Sequence, residues 1–245
     1  MMVDGRPLHI AIDGLVATGK TTVGMEVARR LGILFLDTGV IYRSITLKAL
    51  ECQADIGNEE QCGLVAERLD LQIMPPTSKD GRPSTVILGG VDVTWKIRTS
   101  DIDRCVSTVS AHPRVRRAVR QIQHEIAMNQ PIVMVGRDIA SVVLPDAQIK
   151  IMLTASPEER VRRRLEELQS RHHDLPIDAA QLHMEIRQRD DEDLFRLNTT
   201  LHTIMINTDG LSKSQVVDKL MAIIEFMADP CNATAKRPTA LKQSH

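Results

Sequence analysis

A chain of 245 residues with 42% hydrophobic residues suits one α/β domain with insertions. Its formal net charge of −1 provides no overall field for nucleic acid or an anionic membrane, and 2% aromatic residues disfavour a base-stacking surface. No apolar run is long enough to span a bilayer, no signal-peptide stretch precedes residue 8, and the four cysteines lack metal-binding spacing. We therefore expect a cytoplasmic protein without nucleic-acid or membrane partners.

Five short, almost continuously apolar runs predict buried strands, at residues 8–13, 33–37, 131–136, 149–154 and 203–208. Continuous apolar character is typical of strands that are covered on both faces. Helical patterns separate these runs, as at residues 21–31, where the apolar side chains fall on one helical face. Strands that alternate with helices indicate a parallel sheet with right-handed crossovers, and hence an α/β fold.

A phosphate-binding loop follows the first predicted strand. Residues 14–21 match the pattern G-x-x-x-x-G-K-S/T, and a helical pattern begins directly after them. Backbone N–H groups of such a loop and the positive end of the following helix dipole bind phosphate groups. Lys20 would reach the β- and γ-phosphates, and the Thr21 hydroxyl would ligate the Mg²⁺ that accompanies ATP. The predicted phosphate-binding residues are Gly14, Leu15, Val16, Ala17, Thr18, Gly19, Lys20 and Thr21.

Two segments interrupt the alternation of strands and helices. Residues 69–98 contain two apolar runs around Asp80-Gly81, which predicts a hairpin and a small antiparallel subdomain inserted in the core. Residues 156–197 carry eight arginines in two helical stretches, which suits a lid that closes over phosphates. Because acidic residues are interleaved with these arginines, a salt-bridged, solvent-exposed helix pair is the alternative.

Several helix starts are marked by capping residues. Ser156 with Glu159 has the pattern of a capping box, and Asp178 with Gln181 predicts the start of the second lid helix. Ser212 with Gln215 repeats the box before a last helix near 213–227. Residues 228–245 are polar and aperiodic, so we expect a disordered tail.

Polar residues at the ends of two other strands predict a second ligand site. The segment from Asp37 to Arg43 follows the second strand, and Arg137 with Asp138 follows the third. The carboxyl ends of parallel strands form the ligand-binding edge of such a sheet. Arg43 is suited to bidentate binding of an acceptor phosphate, whereas Arg137 with Asp138 equally fits a structural ion pair.

The order and spacing of these motifs resemble the bacterial cytidylate kinase (CMP/dCMP kinase) family. The matching segments are IDG-x4-GKTT, LDTG-x-IYR, IRT-x7-S, HPRVR, GRDIA-x-VV-x-PDA, S-x-EERVRRR and RQRDDED-x2-R, and they extend over residues 8–227. The resemblance implies a P-loop kinase with three α/β/α layers and a five-stranded parallel sheet. It also implies a nucleoside-monophosphate-binding insert at about 69–98 and a helical lid at about 156–197.

The resemblance assigns roles to individual residues. On the ATP side it extends the loop to Thr22, and we take Arg160 and Arg164 as lid residues. The implied CMP-binding residues are Thr38, Tyr42, Arg43, Ser107, Arg116, Arg137, Asp138, Arg189, Asp193 and Arg196. Of these, Ser107, Arg116 and Asp138 read cytosine, and Asp193 lies toward the sugar. The residues implied to act in phosphoryl transfer are Lys20, Arg137 and Arg196.

The implied reaction is transfer of the γ-phosphoryl group from Mg²⁺–ATP to the 5′-phosphate of CMP or dCMP, by a protein that we expect to be monomeric. Cytosine offers an amino donor beside two acceptors, so a carboxylate, an arginine and a hydroxyl complement it. Uracil carries an acceptor at position 4 and would leave the Asp138 carboxylate unpaired, which costs on the order of 1–3 kcal/mol.

The chain departs from the family pattern in ways that keep two alternatives open. Val135 stands where the family usually has an acidic residue, so Asp13 or Asp37 would have to help hold hydrated Mg²⁺. Residues 140–141 and Leu15 differ modestly, and residues 197–202 form a shortened lid-to-core connection. One alternative is a kinase for another acceptor such as AMP, UMP or shikimate. The other is a catalytically weak nucleotide-binding protein with a regulatory role.

Overall fold

The structure, a computed structural model, describes residues 1–228 apart from 4, 129, 172–178, 195–196, 198–199 and 201. The strands are β1 Met2–Val3, β2 Arg6–Pro7, β3 His9–Gly14, β4 Leu34–Asp37, β5 Leu71–Met74, β6 Thr85–Leu88, β7 Val91–Asp92, β8 Ile132–Gly136, β9 Ile149–Thr154 and β10 Ile204–Asn207. The α-helices are α1 Lys20–Leu31, α2 Gly39–Glu51, α3 Glu59–Glu67, α4 Ser100–Ala111, α5 Pro113–Met128, α6 Pro157–Arg171, α7 Ala179–Leu194 and α8 Lys213–Ala228.

The central sheet has five strands in the order β10-β9-β3-β8-β4, and every neighbouring pair is parallel. These are the five strands predicted from the apolar runs, with each boundary within one residue of the prediction. The P-loop strand β3 lies in the middle, paired with β8 on one side and β9 on the other. The carboxyl ends of β3, β4 and β8 therefore meet at one edge.

Helices cover both faces of this sheet, because successive strand residues point to opposite sides. On β3, Ile10 and Ile12 enter one apolar cluster while Ala11 enters the other. The first cluster contains residues of α1 and α8, namely Val23, Val27, Val217 and Leu220. The second contains residues of α2 and α5, namely Ile41, Ile45, Val115 and Val119. The predicted three-layer α/β/α arrangement is confirmed.

The insert and the lid take the predicted secondary structure. Strands β5 and β6 form the antiparallel hairpin, and a third strand, β7, that the sequence pattern did not indicate pairs with β6. This small sheet packs on α2 through a third apolar cluster that includes Val86, Leu88 and Ile97. Helices α6 and α7 correspond to the two helical stretches that we expect to form the lid. The proposed cap Asp178 and the tail residues 229–245 lie outside the described residues.

The two capping boxes differ. Before α8 the box is complete, because the Gln215 N–H donates to Ser212 Oγ and the Ser212 N–H donates to Gln215 Oε1. Before α6 it is only half formed: the Glu159 N–H donates to Ser156 Oγ, but the Ser156 N–H donates to Asp209. The Glu159 carboxylate instead accepts hydrogen bonds from Arg162 and Arg163, chiefly Arg162, which lower its pKa to about 2. Local pairing within α6 thus replaces the second arm of the box.

Among the described residues, no helix has the length and apolar character needed to cross a bilayer.

A buried carboxylate joins two strand ends at the edge where ligands would bind. Asp13, at the end of β3, is 1% exposed and accepts hydrogen bonds from the backbone N–H groups of Ile139 at 2.9 Å and Ala140 at 2.8 Å. Both donors lie in a π-helical turn, Ile139–Val143, shortly after β8. Burial raises the Asp13 pKa above its ordinary value despite these hydrogen bonds.

We expect Asp13→Asn to lower the free energy of unfolding by about 1–3 kcal/mol, because the amide NH₂ would face one of the two backbone donors. The raised pKa of Asp13 means that the wild type loses free energy of unfolding as the pH rises through that pKa, whereas an asparagine does not titrate. The difference in the free energy of unfolding between the two proteins should therefore narrow from pH 4 to pH 8. Urea denaturation across this range measures it, with the exposed Asp146→Asn as control. Equal stability of Asp13→Asn and wild type at pH 4 would contradict the role of Asp13.

Candidate active site

A cleft of about 480 Å³ lies at the carboxyl ends of β3, β4 and β8. The P-loop and the start of α1 form one wall, and α2, α4 and α5 form the other. Residues of the lid helix α6 close part of its rim. The parallel sheet therefore brings the predicted triphosphate-binding loop and the predicted acceptor residues to a single space.

The P-loop conformation requires glycine at both glycine positions of the motif. A Cβ on Gly14 would lie 2.4 Å from the Leu153 carbonyl oxygen, and Gly19 adopts a left-handed φ of 91° directly before α1. Lys20 begins α1, is 7% exposed, and donates from Nζ to the Leu15 carbonyl at 2.6 Å. Its ammonium group therefore lies over the loop, at the position where phosphate oxygens would compete for it.

The hydroxyl predicted to bind Mg²⁺ contacts one of the two candidate carboxylates. Thr21 Oγ1 donates to Asp37 Oδ2 at 2.8 Å, whereas both oxygens of Asp13 accept backbone N–H groups. Val135, in the family's acidic position, is buried and packs toward Gly24 of α1. Hydroxyl and carboxylate oxygens are ligands that suit Mg²⁺, so Thr21 and Asp37 fit the ion. Asp37, not Asp13, is thus the carboxylate available beside Thr21.

Metal binding here would depend on the nucleotide. No group of three or more His, Cys, Asp and Glu side chains with metal-binding geometry occurs in the described part of the chain. Mg²⁺ commonly keeps several waters and is held by one or two protein ligands together with substrate phosphates. The pair of Thr21 and Asp37 matches that mode.

The structure brings together most of the predicted acceptor residues. Those that line the cleft are Thr38, Tyr42, Arg43, Arg116, Arg137 and Asp138. Arg116 Nη2, from α5, donates to Asp138 Oδ2 at 3.2 Å, which joins two of the three predicted base-reading residues. Arg137 Nη1 donates to the Gly14 carbonyl at 3.1 Å, so Arg137 spans from the acceptor side to the P-loop.

Of the remaining predicted acceptor residues, one is described outside the cleft and three lie wholly or partly outside the described residues. Ser107 lies on the exposed face of α4, where its helical neighbours Val106 and Ser110 line the cleft instead. Arg189 and Asp193 belong to α7, but their side chains lie outside the described part, as does the whole of Arg196. Their roles stay predictions.

The two lid arginines have different surroundings. Arg164 lines the cleft and donates to Glu167 at 2.7 Å. Arg160 is 3% exposed and does not line the cleft. Its terminal nitrogens donate to the two oxygens of Asp190 on α7 at 2.8 and 2.5 Å, and Nη1 lies 3.5 Å from the Val16 carbonyl of the P-loop. Arg160 therefore joins both lid helices to the P-loop. Its role on the ATP side stays a prediction.

Two residues that line the cleft have no role assigned by the sequence motifs. Arg98, the last residue of the insert, lines the cleft, although the segment IRT-x7-S to which it belongs gave it no role. Gln123 lines it too and is 4% exposed. It lies seven residues after Arg116 on α5, so helical periodicity places both on one face. The seven-residue spacing could have indicated Gln123 from the sequence, but a single glutamine in a polar helix is not by itself a signal for a binding site.

A second cavity, of about 560 Å³, lies on the other side of the P-loop, between α6 and the start of α8. It shares Ala17 and Gly19 with the main cleft and is also lined by Thr22. Arg163 of α6 donates to the side chain and the carbonyl of Thr208 at its border. A nucleotide on the P-loop could therefore extend from one cavity to the other.

Comparison with known proteins gives consistent matches. The family model described as "Cytidylate kinase" matches residues 10–226. A protein named cytidylate kinase from Roseiflexus castenholzii is 42% identical over 92% of this chain and 96% of its own length. Another of that name, from Herpetosiphon aurantiacus, is 40% identical over 89% and 94%. A solved gluconokinase from Sinorhizobium meliloti covers 94% of this chain and 98% of its own, with 13% identity and a TM-score of 0.45.

Removal of the charge at Asp190 should weaken ATP binding although no residue of the P-loop itself is changed. We expect Asp190→Asn to raise the Kd of Mg²⁺–ATP about tenfold, because Arg160 would lose its buried charge partner and shift against Val16. Isothermal titration calorimetry measures this, with the exposed neighbour Asp191→Asn as control. An unchanged Kd together with a lower melting temperature would show that the pair only braces the lid.

Proposed function

The chain belongs to the cytidylate kinase family, and from that premise we propose that it transfers the γ-phosphoryl group of ATP to the 5′-phosphate of CMP and dCMP. The observation that carries this proposal is that one cleft joins the P-loop to the Arg116–Asp138 pair. The P-loop supplies the donor site. A carboxylate held by an arginine supplies a recognition pair for a base that presents an amino group.

The reaction needs no covalent enzyme intermediate. An oxygen of the acceptor phosphate attacks the γ-phosphorus in line, the bond to the β-phosphate oxygen breaks, and ADP leaves with that electron pair. The acceptor is already anionic, so no general base is required. Lys20 and Arg137 would stabilise the negative charge that spreads over the transferred phosphoryl group, and Arg164 would add its positive charge from the lid. Arg196 is proposed to join them.

Mg²⁺ bound with ATP would be held by Thr21, with Asp37 beside it, and would neutralise charge on the β- and γ-phosphates. The nucleoside part of ATP would extend into the second cavity, beyond Gly19 and Thr22. On the acceptor side, Thr38, Tyr42 and Arg43 face the space between the P-loop and α4.

Base recognition would follow from the position of one carboxylate. Arg116 orients Asp138, so that its carboxylate is an acceptor for the N4 amino group of cytosine. Uracil and adenine do not present an amino donor beside the same pair of acceptors. The retained Arg116–Asp138 pair therefore favours CMP and dCMP over UMP or AMP.

The catalytically weak alternative rests on Val135, whose buried isopropyl group offers no metal ligand. Against it, Asp37 contacts Thr21 directly, so a carboxylate still stands at the metal position. A cytoplasmic location and a monomeric state belong to the proposal as well, as the family resemblance implies.

The proposed function is tested by ADP formation from Mg²⁺–ATP with CMP, dCMP, UMP, AMP and shikimate, each offered separately beside a no-acceptor control. Turnover selective for CMP and dCMP is expected. Lys20→Ala serves as the inactive control, because its ammonium group cannot be replaced at the loop. ATP binding by wild type without turnover on any acceptor would favour the regulatory alternative.

Asp138→Ala should reduce the preference for CMP over UMP. Loss of the carboxylate removes the acceptor for the amino group of cytosine and the penalty against uracil, so the ratio of kcat/KM values should fall by about tenfold to a hundredfold. Steady-state kinetics with both acceptors measures that ratio. An equal loss with both acceptors, or no change in the ratio, would remove Asp138 from base reading.

A further inference from the structure

Arg43, the arginine expected to bind the acceptor phosphate, is engaged by an acidic side chain of the same chain. Its Nη2 donates to Asp103 Oδ1 at 2.5 Å, and its Nη1 donates to the Ile97 carbonyl at 3.0 Å. Asp103 lies in the first turn of α4, is 52% exposed, and reaches across to Arg43 of α2, which lines the cleft. Both terminal nitrogens of Arg43 thus contact acceptors of the protein itself.

This ion pair opposes phosphate binding for two physical reasons. A phosphate that binds Arg43 bidentately needs N–H groups on the side of the guanidinium that Asp103 contacts. Even where it binds the free N–H groups, its negative charge is repelled by the neighbouring carboxylate, since each charge is only partly screened at a half-exposed cleft. Asp103 therefore acts on the phosphate group of the acceptor, independently of its base.

We propose that Asp103 is an internal counter-ion of the acceptor-phosphate site, which the incoming 5′-phosphate displaces from Arg43. This inference rests on the proposed function, because it takes Arg43 as a ligand of that phosphate. A dianionic phosphate outcompetes one carboxylate, whereas a neutral nucleoside gains nothing from displacing it. Asp103 thereby weakens acceptor binding and returns to Arg43 as the phosphorylated product leaves.

A neighbouring aspartate provides a matched control. Asp101 lies on the same turn of α4 and pairs with Arg104, three residues along the same helix, at the exposed surface. Asp101→Asn and Asp103→Asn therefore make the same change of net charge at nearly the same distance along the helix. Only the second removes a charge that contacts Arg43.

The experiment is titration calorimetry of wild type, Asp103→Asn and Asp101→Asn with CMP, inorganic phosphate and cytidine. For Asp103→Asn we expect the Kd of CMP and of inorganic phosphate to fall about two- to fivefold, as loss of a half-exposed ion pair allows. The Kd of cytidine should not change, and Asp101→Asn should match wild type. In an Arg43→Ala background, the effect of Asp103→Asn on phosphate binding should be smaller than in the wild-type background, because only the direct repulsion by the carboxylate remains.

Other results would overturn the proposal in distinguishable ways. Weaker binding of CMP by Asp103→Asn would show that Asp103 holds Arg43 in its productive position. Equal binding by all three proteins would show that the pair does not act on the acceptor site. Inorganic phosphate tests the counter-ion without reference to the base, so the inference can hold even if CMP is not a substrate. Selective CMP turnover with unchanged phosphate affinities would leave the proposed function standing and remove this inference.

Discussion

The buried carboxylate of Asp13 is the interaction on which the geometry of the cleft depends. It closes β3, just before the P-loop, and holds the first backbone N–H groups after the Arg137–Asp138 dipeptide. The donor loop and the acceptor-side residues are thus fixed to each other through one side chain with two hydrogen bonds. Burial of this carboxylate carries a desolvation cost, which the raised pKa expresses, and the two donors offset part of it. Despite this cost, the carboxylate fixes the distance between the end of β3 and the turn after β8.

Carboxylates of the protein itself pair with three of the arginines that line the cleft. Arg43 contacts Asp103, Arg116 contacts Asp138, and Arg164 contacts Glu167. Five arginines line the cleft, and without such acceptors they would repel each other and would bind any anion. Carboxylates that can be displaced lower the affinity for anions in general while leaving the site open to a dianionic phosphate. Asp138 differs from the other two acids, because its proposed role is to stay paired with Arg116 and read the base.

The lid combines two uses of arginine that look alike along the chain. Arg160 and Arg164 are one helical turn apart, yet the first is buried against Asp190 and the second faces the cleft. Arg162, between them, pairs with Glu159 and Glu166 at the surface, as the solvent-exposed alternative predicts. Contact with Asp190 of α7 buries Arg160, whereas Arg164 pairs with Glu167 of its own helix beside the cleft.

The amino-acid sequence by itself determined the α/β architecture, the five core strands and the P-loop. Apolar runs and glycine spacing are local signals, and strands that are buried on both faces leave little doubt about where they begin and end. Motif order likewise indicated most of the acceptor side, including Arg43, Arg116, Arg137 and Asp138. Residue type and spacing suffice there, because strand ends in a parallel sheet converge.

What only the tertiary structure decided is which groups meet across elements that are distant in the chain. Asp37 rather than Asp13 contacts Thr21, because both oxygens of Asp13 are already used by the turn after β8. The engagement of Arg160 by Asp190 and of Arg43 by Asp103 depends on how α6 packs on α7 and how α4 packs on α2. Such pairings depend on the relative placement of packed helices, and no periodicity within a single helix encodes them.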